Sequence, residues 1–176
     1  PDHNWEPYLP QREVQDNAHT RTFNCTAYGT LNVIETLRKK IFSESNEFSE
    51  RYTGIMAGTA PPGNDPQTVI DSIRKVAGLI PEADLPFNGE ITSTKAYYSP
   101  RPMIEPYLST GEAWLGKYRL GHDYVFTAIH TPKQRIERMK EALLYSPLGA
   151  GVYAWVKEGD YYVRPRGAMD THWIMI

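Results

Sequence analysis

The chain holds a single cysteine, Cys25, within the stretch RTFNCTAYGTLNVIETL. From it, Ala27, Tyr28, Leu31, Ile34, Leu37 and Ile41 recur at three- and four-residue steps, the period of a helix that buries one face. Asn24 is placed to cap that helix, which sets Cys25 at its first position. Unpaired N–H groups and the helix dipole at such a terminus favour the thiolate, the nucleophilic form of cysteine. An imidazole would complete a reactive pair, since thiolate and imidazolium stabilise each other. Five histidines are available: His3, His19, His122, His130 and His172. His172 heads an apolar run, HWIMI, while His19 is the local rival as base. The competing reading makes Cys25 a small buried apolar residue, Gln15 a solvated glutamine, and His3, His122 and His130 surface or packing residues.

The elements that must position these groups are short and punctuated by 14 prolines, which marks a loop-rich fold. A second helix is expected in SNEFSERYTGIMAG. A third has Asp65 as cap, Pro66 in its first turn and Gly78 as its stop. LPFNGEITSTKAYYSPRPMIEPYLSTG shows no sustained period and reads as a crossing segment. Beyond it, DYVFTAIH reads as a strand, and a helix opens at Thr131 and Pro132. LGAGVYAWV reads as a buried strand, EGD as a turn with YYVR as the partner strand, and HWIMI as another strand. Helices early and strands late give an α+β pattern.

At 176 residues the chain is expected to form one domain, and 19 basic against 21 acidic side chains give no reason to expect nucleic acid or a membrane as partner. One cysteine cannot form an internal disulfide. No segment has the apolar length of a membrane span or the core of a signal peptide, so the sequence names no compartment. Starting at Pro1, the chain is expected to be a processed or excised piece, and the apolar run that stops at Ile176 leads us to expect a further segment. One cysteine and scattered histidines offer no zinc-type cluster and there is no phosphate loop, so no cofactor or metal is expected.

The order of these features resembles the papain-like cysteine peptidase family, from about Trp5 to the end. NWEPYLPQREVQ resembles the start of the mature enzymes, leading into the glutamine of the oxyanion hole. NCTAYG resembles the nucleophile motif, and PGNDPQTVIDSIRKVAGLIPEADLPF the Gly-rich turn, helix and closing run of the helical lobe. MKEALLYSPLGAGVYAW and DTHWIMI resemble the helix and strands of the second lobe. The interval from Cys25 to His172 also fits the roughly 130–150 residues between the family's cysteine and histidine.

The resemblance implies a two-lobe fold over residues 1–176, with a helical lobe at about 11–100 and an antiparallel β-barrel-like lobe at about 101–176 that lacks its C-terminal strands. It implies a peptide or protein substrate, Cys25 as nucleophile, His172 as its acid and base, and Gln15 as oxyanion donor. Gly63 and Asn64 would form the turn that binds the substrate backbone. A propeptide or a separate C-terminal segment is the partner it suggests. There are departures: the gap from Gln15 to Cys25 is longer than in well-known members, so either residues 16–24 bulge or Gln15 is not the donor, and Thr26 replaces an aromatic residue. The family's disulfides are absent, which suggests a bacterial or bacteriophage branch. The asparagine that orients the histidine has no counterpart before Ile176; Asp170 is the local substitute. Two other functions remain: a peptidoglycan-cleaving thiol peptidase, and a non-catalytic structural or binding module such as a virion component.

Overall fold

A computed structural model describes residues 4–99, 104–153, 156–164, 166–167 and 171–176. The fold is α+β, with helices dominating: 45% of the described residues are helical and 10% are in strands. The helices are α1 Cys25–Phe42, α2 Glu50–Met56, α3 Pro66–Ser72, α4 Thr94–Tyr98, α5 Glu105–Lys117 and α6 Pro132–Leu143. The strands are β1 Gly149–Val152, β2 Val156–Glu158, β3 Tyr161–Val163 and β4 His172–Met175.

Helix α1 is the centre of the fold. Ala27, Leu31 and Ile34 form one core with Phe48, Val69, Ile73 and Leu79, and Tyr52, Ala77, Ile80 and Leu85 form a second. Full burial of a side chain such as Leu31 contributes about 2 kcal/mol. The expected apolar face stops short, since Ile41 is exposed. The helix also packs against β4, where Thr36 bonds Met175, while its polar residues Glu35 and Arg38 are buried against the segment around Phe48.

Local chemistry explains the helix ends. Asp65 caps α3 by accepting from the Gln67 and Thr68 N–H groups, and Pro66 needs no such partner. A π-helical turn, Ile73–Ala77, continues α3 to Gly78, whose φ of 65° ends it. A Cβ on Gly78 would stand 2.0 Å from the Gly111 carbonyl oxygen, so α5 crosses here through two glycines. Thr131 and Gln134 form a reciprocal capping box at the start of α6.

The second half differs from expectation. Residues 101–176 hold α5 and α6, and among the described residues the strands form two separate two-stranded antiparallel sheets, not a barrel. Part of the crossing segment is helical: Pro106 sits in the first turn of α5, where its missing N–H costs nothing, and Ser93 caps α4. Residues 123–130 are irregular instead of a strand; Tyr124 and Ile129 are exposed, so the segment has no core face to reward its aromatic and β-branched residues. Strand β1 alternates exposed and half-buried residues instead of being buried, and its partner is β4, with Val152 opposite His172 and Gly149 opposite Met175. YYVR supplies β3, which pairs with β2 across Gly159. Ala154 and Trp155 lie outside the described residues.

Candidate active site

Cys25 is the first residue of α1 and is half-buried. Asn24 occupies the cap position, as its residue type suggests, but its side chain does not cap the helix. The buried carboxamide turns inward: Asn24 Nδ2 donates to the Glu50 carbonyl oxygen at 2.7 Å and to the Tyr97 hydroxyl oxygen at 3.0 Å. Gly54 makes room for it, since a Cβ there would stand 2.5 Å from Asn24 Oδ1. The start of α1 is thereby pinned to α2 and α4. The Ala27 and Tyr28 N–H groups donate to the Asn24 carbonyl oxygen. This leaves the N–H groups of Cys25 and Thr26 as the donors at the helix end that could face a negative charge.

Residues 16–21 form a compact loop ahead of α1. Asn17 Oδ1 accepts from the His19 and Thr20 N–H groups at 2.8 and 2.7 Å, which turns the chain back on itself. Thr20 Oγ1 and Asn17 Nδ2 both donate to the Ile91 carbonyl oxygen, so the loop is docked. Thr22 then closes it: its N–H donates to Asp16 Oδ1 at 2.8 Å, and its hydroxyl donates to the Gln15 carbonyl oxygen at 3.0 Å. Half-buried Gln15 is thus tied to Thr22, which shortly precedes Cys25. Between them Phe23 has a φ of 56°, an uncommon conformation for a side-chain-bearing residue.

His172 heads β4 and is exposed. Its strand lies along α1. Trp173 and the Ile174 backbone sit against Gly29, and Thr36 Oγ1 donates to Met175 Sδ at 3.6 Å. The later strand residue thus meets the later helix residue along this interface. The Trp173 indole is fitted between two glycines: a Cβ on Gly29 would stand 2.7 Å from its Cδ1, and one on Gly149 would stand 2.4 Å from its Cζ2. Asp170, the suggested orienting group, lies outside the described residues.

Gly63 and Asn64 follow the cis Pro61–Pro62 bond in a turn where the Gly63 N–H donates to the Ala60 carbonyl oxygen at 2.7 Å. Gly63 packs beside the chain just before Cys25; a Cβ on it would meet the Phe23 carbonyl oxygen at 3.6 Å. Asn64 is committed to the turn itself. Its Nδ2 donates to the Ala57 carbonyl and the Thr59 hydroxyl, and its Oδ1 accepts from the Asp65 N–H.

Of the remaining histidines, His3 lies outside the described residues and His19 is exposed in the loop ahead of α1. His122 bonds Arg74 and Gln67, and His130 belongs to a turn with Thr127. Sequence reasoning missed Tyr98. Its hydroxyl donates to the Thr22 carbonyl oxygen, and burial, then the nearby Cys25 and Asp16 charges, holds the phenol protonated. The pair of tyrosines in AYYSP gave no sign of this, because only the fold of α4 sets one of them beside the cysteine. Sequence also gave no sign of Glu13, Glu50 and Glu82, whose carboxylate oxygens gather within 4.8 Å of one another from distant points in the chain. Hard oxygen donors of this kind suit calcium or magnesium among metal ions.

Two cavities of about 320 Å³ flank the segment around Glu13, one lined by Leu9, Glu35, Lys39 and Glu47, the other by Glu13, Tyr28, Glu82 and Phe87. Neither is formed by Cys25 or His172. No protein-family model matches the chain, and no curated protein matches it.

Proposed function

We propose that the chain is a papain-like cysteine endopeptidase that hydrolyses peptide bonds through Cys25 and His172. The observation that supports this reading is the packing of β4 on α1, with Trp173 and Ile174 against Gly29 and Met175 against Thr36, the order expected if His172 lies toward the helix start. The tether from Thr22 to Gln15 and the position of Gly63 beside Phe23 support it, because they gather the other expected residues around the start of the same helix.

In this reading the Cys25 thiolate attacks the substrate carbonyl carbon, forming a carbon–sulfur bond and a tetrahedral oxyanion. The Gln15 carboxamide and the Cys25 N–H donate to that oxygen, each contributing about 2.7–4 kcal/mol to the transition state. As the carbon–nitrogen bond breaks, the His172 imidazolium gives its proton to the departing amine. Water then attacks the thioester, His172 accepts its proton, and the thiolate leaves with the acid product released. The Gly63 carbonyl would accept from the extended substrate backbone.

Hydrolysis of casein by the wild-type chain, abolished in Cys25→Ala and His172→Ala variants that retain the wild-type melting temperature, is the expected result. Cleavage of peptidoglycan with casein left intact would move the reading to a cell-wall peptidase. Inactivity on both, with a thiol no more reactive than a free one, would favour a non-catalytic module.

A further inference from the structure

The segment from Leu9 to Gln15 is strapped across the molecule by a few contacts. Lys39 Nζ donates to the Leu9 carbonyl oxygen at 3.2 Å, the Gln11 N–H donates to Glu47 Oε1 at 3.2 Å, and Thr22 closes on Gln15. Between these ties, Glu13 meets Glu50 of α2 and Glu82. Glu50 is only 2% exposed and its Oε1 has no partner, nor has Glu82 Oε2. Ionised carboxylates only accept hydrogen bonds, so three of them this close hold together when a proton or a cation lies between them.

We infer that Glu13, Glu50 and Glu82 form a proton lock that keeps the Leu9–Gln15 strap docked while they share protons and frees it when they ionise. Burial, with Glu13 next in effect, raises the Glu50 pKa well above the ordinary carboxyl value, and burial raises that of Glu13 as well. Burial likewise pushes Glu82 up to about 7. The groups facing the cluster do not neutralise it. Tyr28 and Glu35 on α1 and Tyr97 on α4 are themselves held protonated by burial. Glu47 adds negative charge, Lys39 is turned to the Leu9 carbonyl, and Arg51 on α2 is turned to the Tyr97 and Ala96 carbonyls. The cavity lined by Glu13, Tyr28 and Glu82 gives solvent protons a way in.

The sign follows from the raised values. Protonated carboxyls favour the docked strap at acidic pH, and docking weakens as pH rises from the ordinary carboxyl value of 4.5 toward about 7, the range in which Glu82 ionises more readily with the strap released. The consequence for Gln15 as an oxyanion donor rests on the function proposed above; the lock itself does not.

The test is amide hydrogen exchange of residues 9–17 from pH 5.5 to 8.5, corrected for the intrinsic rate, in wild type, Glu13→Gln and Glu50→Gln. Wild-type protection is expected to fall on the order of tenfold across the range, while both amide variants, which keep a hydrogen bond and leave one carboxyl fewer to ionise, show a clearly smaller fall. Constant wild-type protection, or the same fall in both variants, overturns the lock. So does a saturable rise in melting temperature with calcium or magnesium chloride at pH 8 that Glu13→Gln abolishes, since the cluster would then be a cation site. Cys25 alkylation on the same samples separates the two ideas: a failed lock with a reactive thiol leaves the peptidase reading standing, and the converse leaves the lock.

Discussion

The Trp173 ring lies across Gly29, so close that a Cβ on that glycine would stand 2.7 Å from Trp173 Cδ1. This contact seats β4 on α1 and so fixes where His172 begins. In Gly29→Ala the ring or the strand must shift, and the ring is also packed against Gly149. Overpacking of this kind costs about 1–3 kcal/mol. We expect a lowered melting temperature together with slower Cys25 alkylation at pH 6. Unchanged alkylation in a destabilised variant would show that the contact serves stability alone.

Gln15→Ala is expected to lower kcat by about 10²–10³-fold with little change in KM, as for the loss of one oxyanion donor. Thr22→Val removes the hydroxyl that holds the Gln15 carbonyl but leaves the carboxamide. Its effect on kcat should be smaller and in the same direction. Equal, near-wild-type kinetics for both variants would remove Gln15 from the mechanism.

Asn24 fills a buried site and donates twice, to α2 and to Tyr97 on α4. Asn24→Ala leaves the Glu50 carbonyl and the Tyr97 hydroxyl without that partner, at about 1–3 kcal/mol for each buried group left unsatisfied. Chemical denaturation should show a loss of that order. A change under half a kilocalorie per mole, roughly what a surface substitution costs, would mean that water replaces the carboxamide.

Buried Glu35 accepts from the Phe48 N–H, and burial pushes its pKa up to about 9, with Glu47, Glu13 and Glu82 adding to the rise. In the unfolded chain it ionises near 4.5. Below that value both states are neutral and burial carries no ionic penalty. As pH rises toward about 9 the unfolded chain is increasingly favoured, so stability falls across this window. Glu35→Gln should flatten that fall in melting temperature between pH 5 and 9. A wild-type slope that persists unchanged in the variant would place its origin elsewhere.

How much the sequence reveals depends on how local the cause is. The Asp65 cap, the Gly78 stop and the opening of α6 at Thr131 and Pro132 are set by neighbouring residues and can be read directly. The β1–β4 pairing cannot, because it joins distant segments and depends on the space left by Gly29 and Gly149. Residues 123–130 have strand-like composition without a strand's neighbours. The same division holds at the site. Cys25, Gln15 and His172 can be singled out by type and order, whereas Tyr98, the inward turn of Asn24 and the Glu13–Glu50–Glu82 cluster arise only from tertiary packing.

The most direct measurement is the rate of Cys25 alkylation by iodoacetamide from pH 4 to 9, read by intact mass, in wild type and His172→Ala. The thiolate–imidazolium account predicts fast labelling well below the free-thiol pKa of about 8.5, lost in the histidine variant. Labelling that rises only near pH 8.5 in both proteins would contradict it.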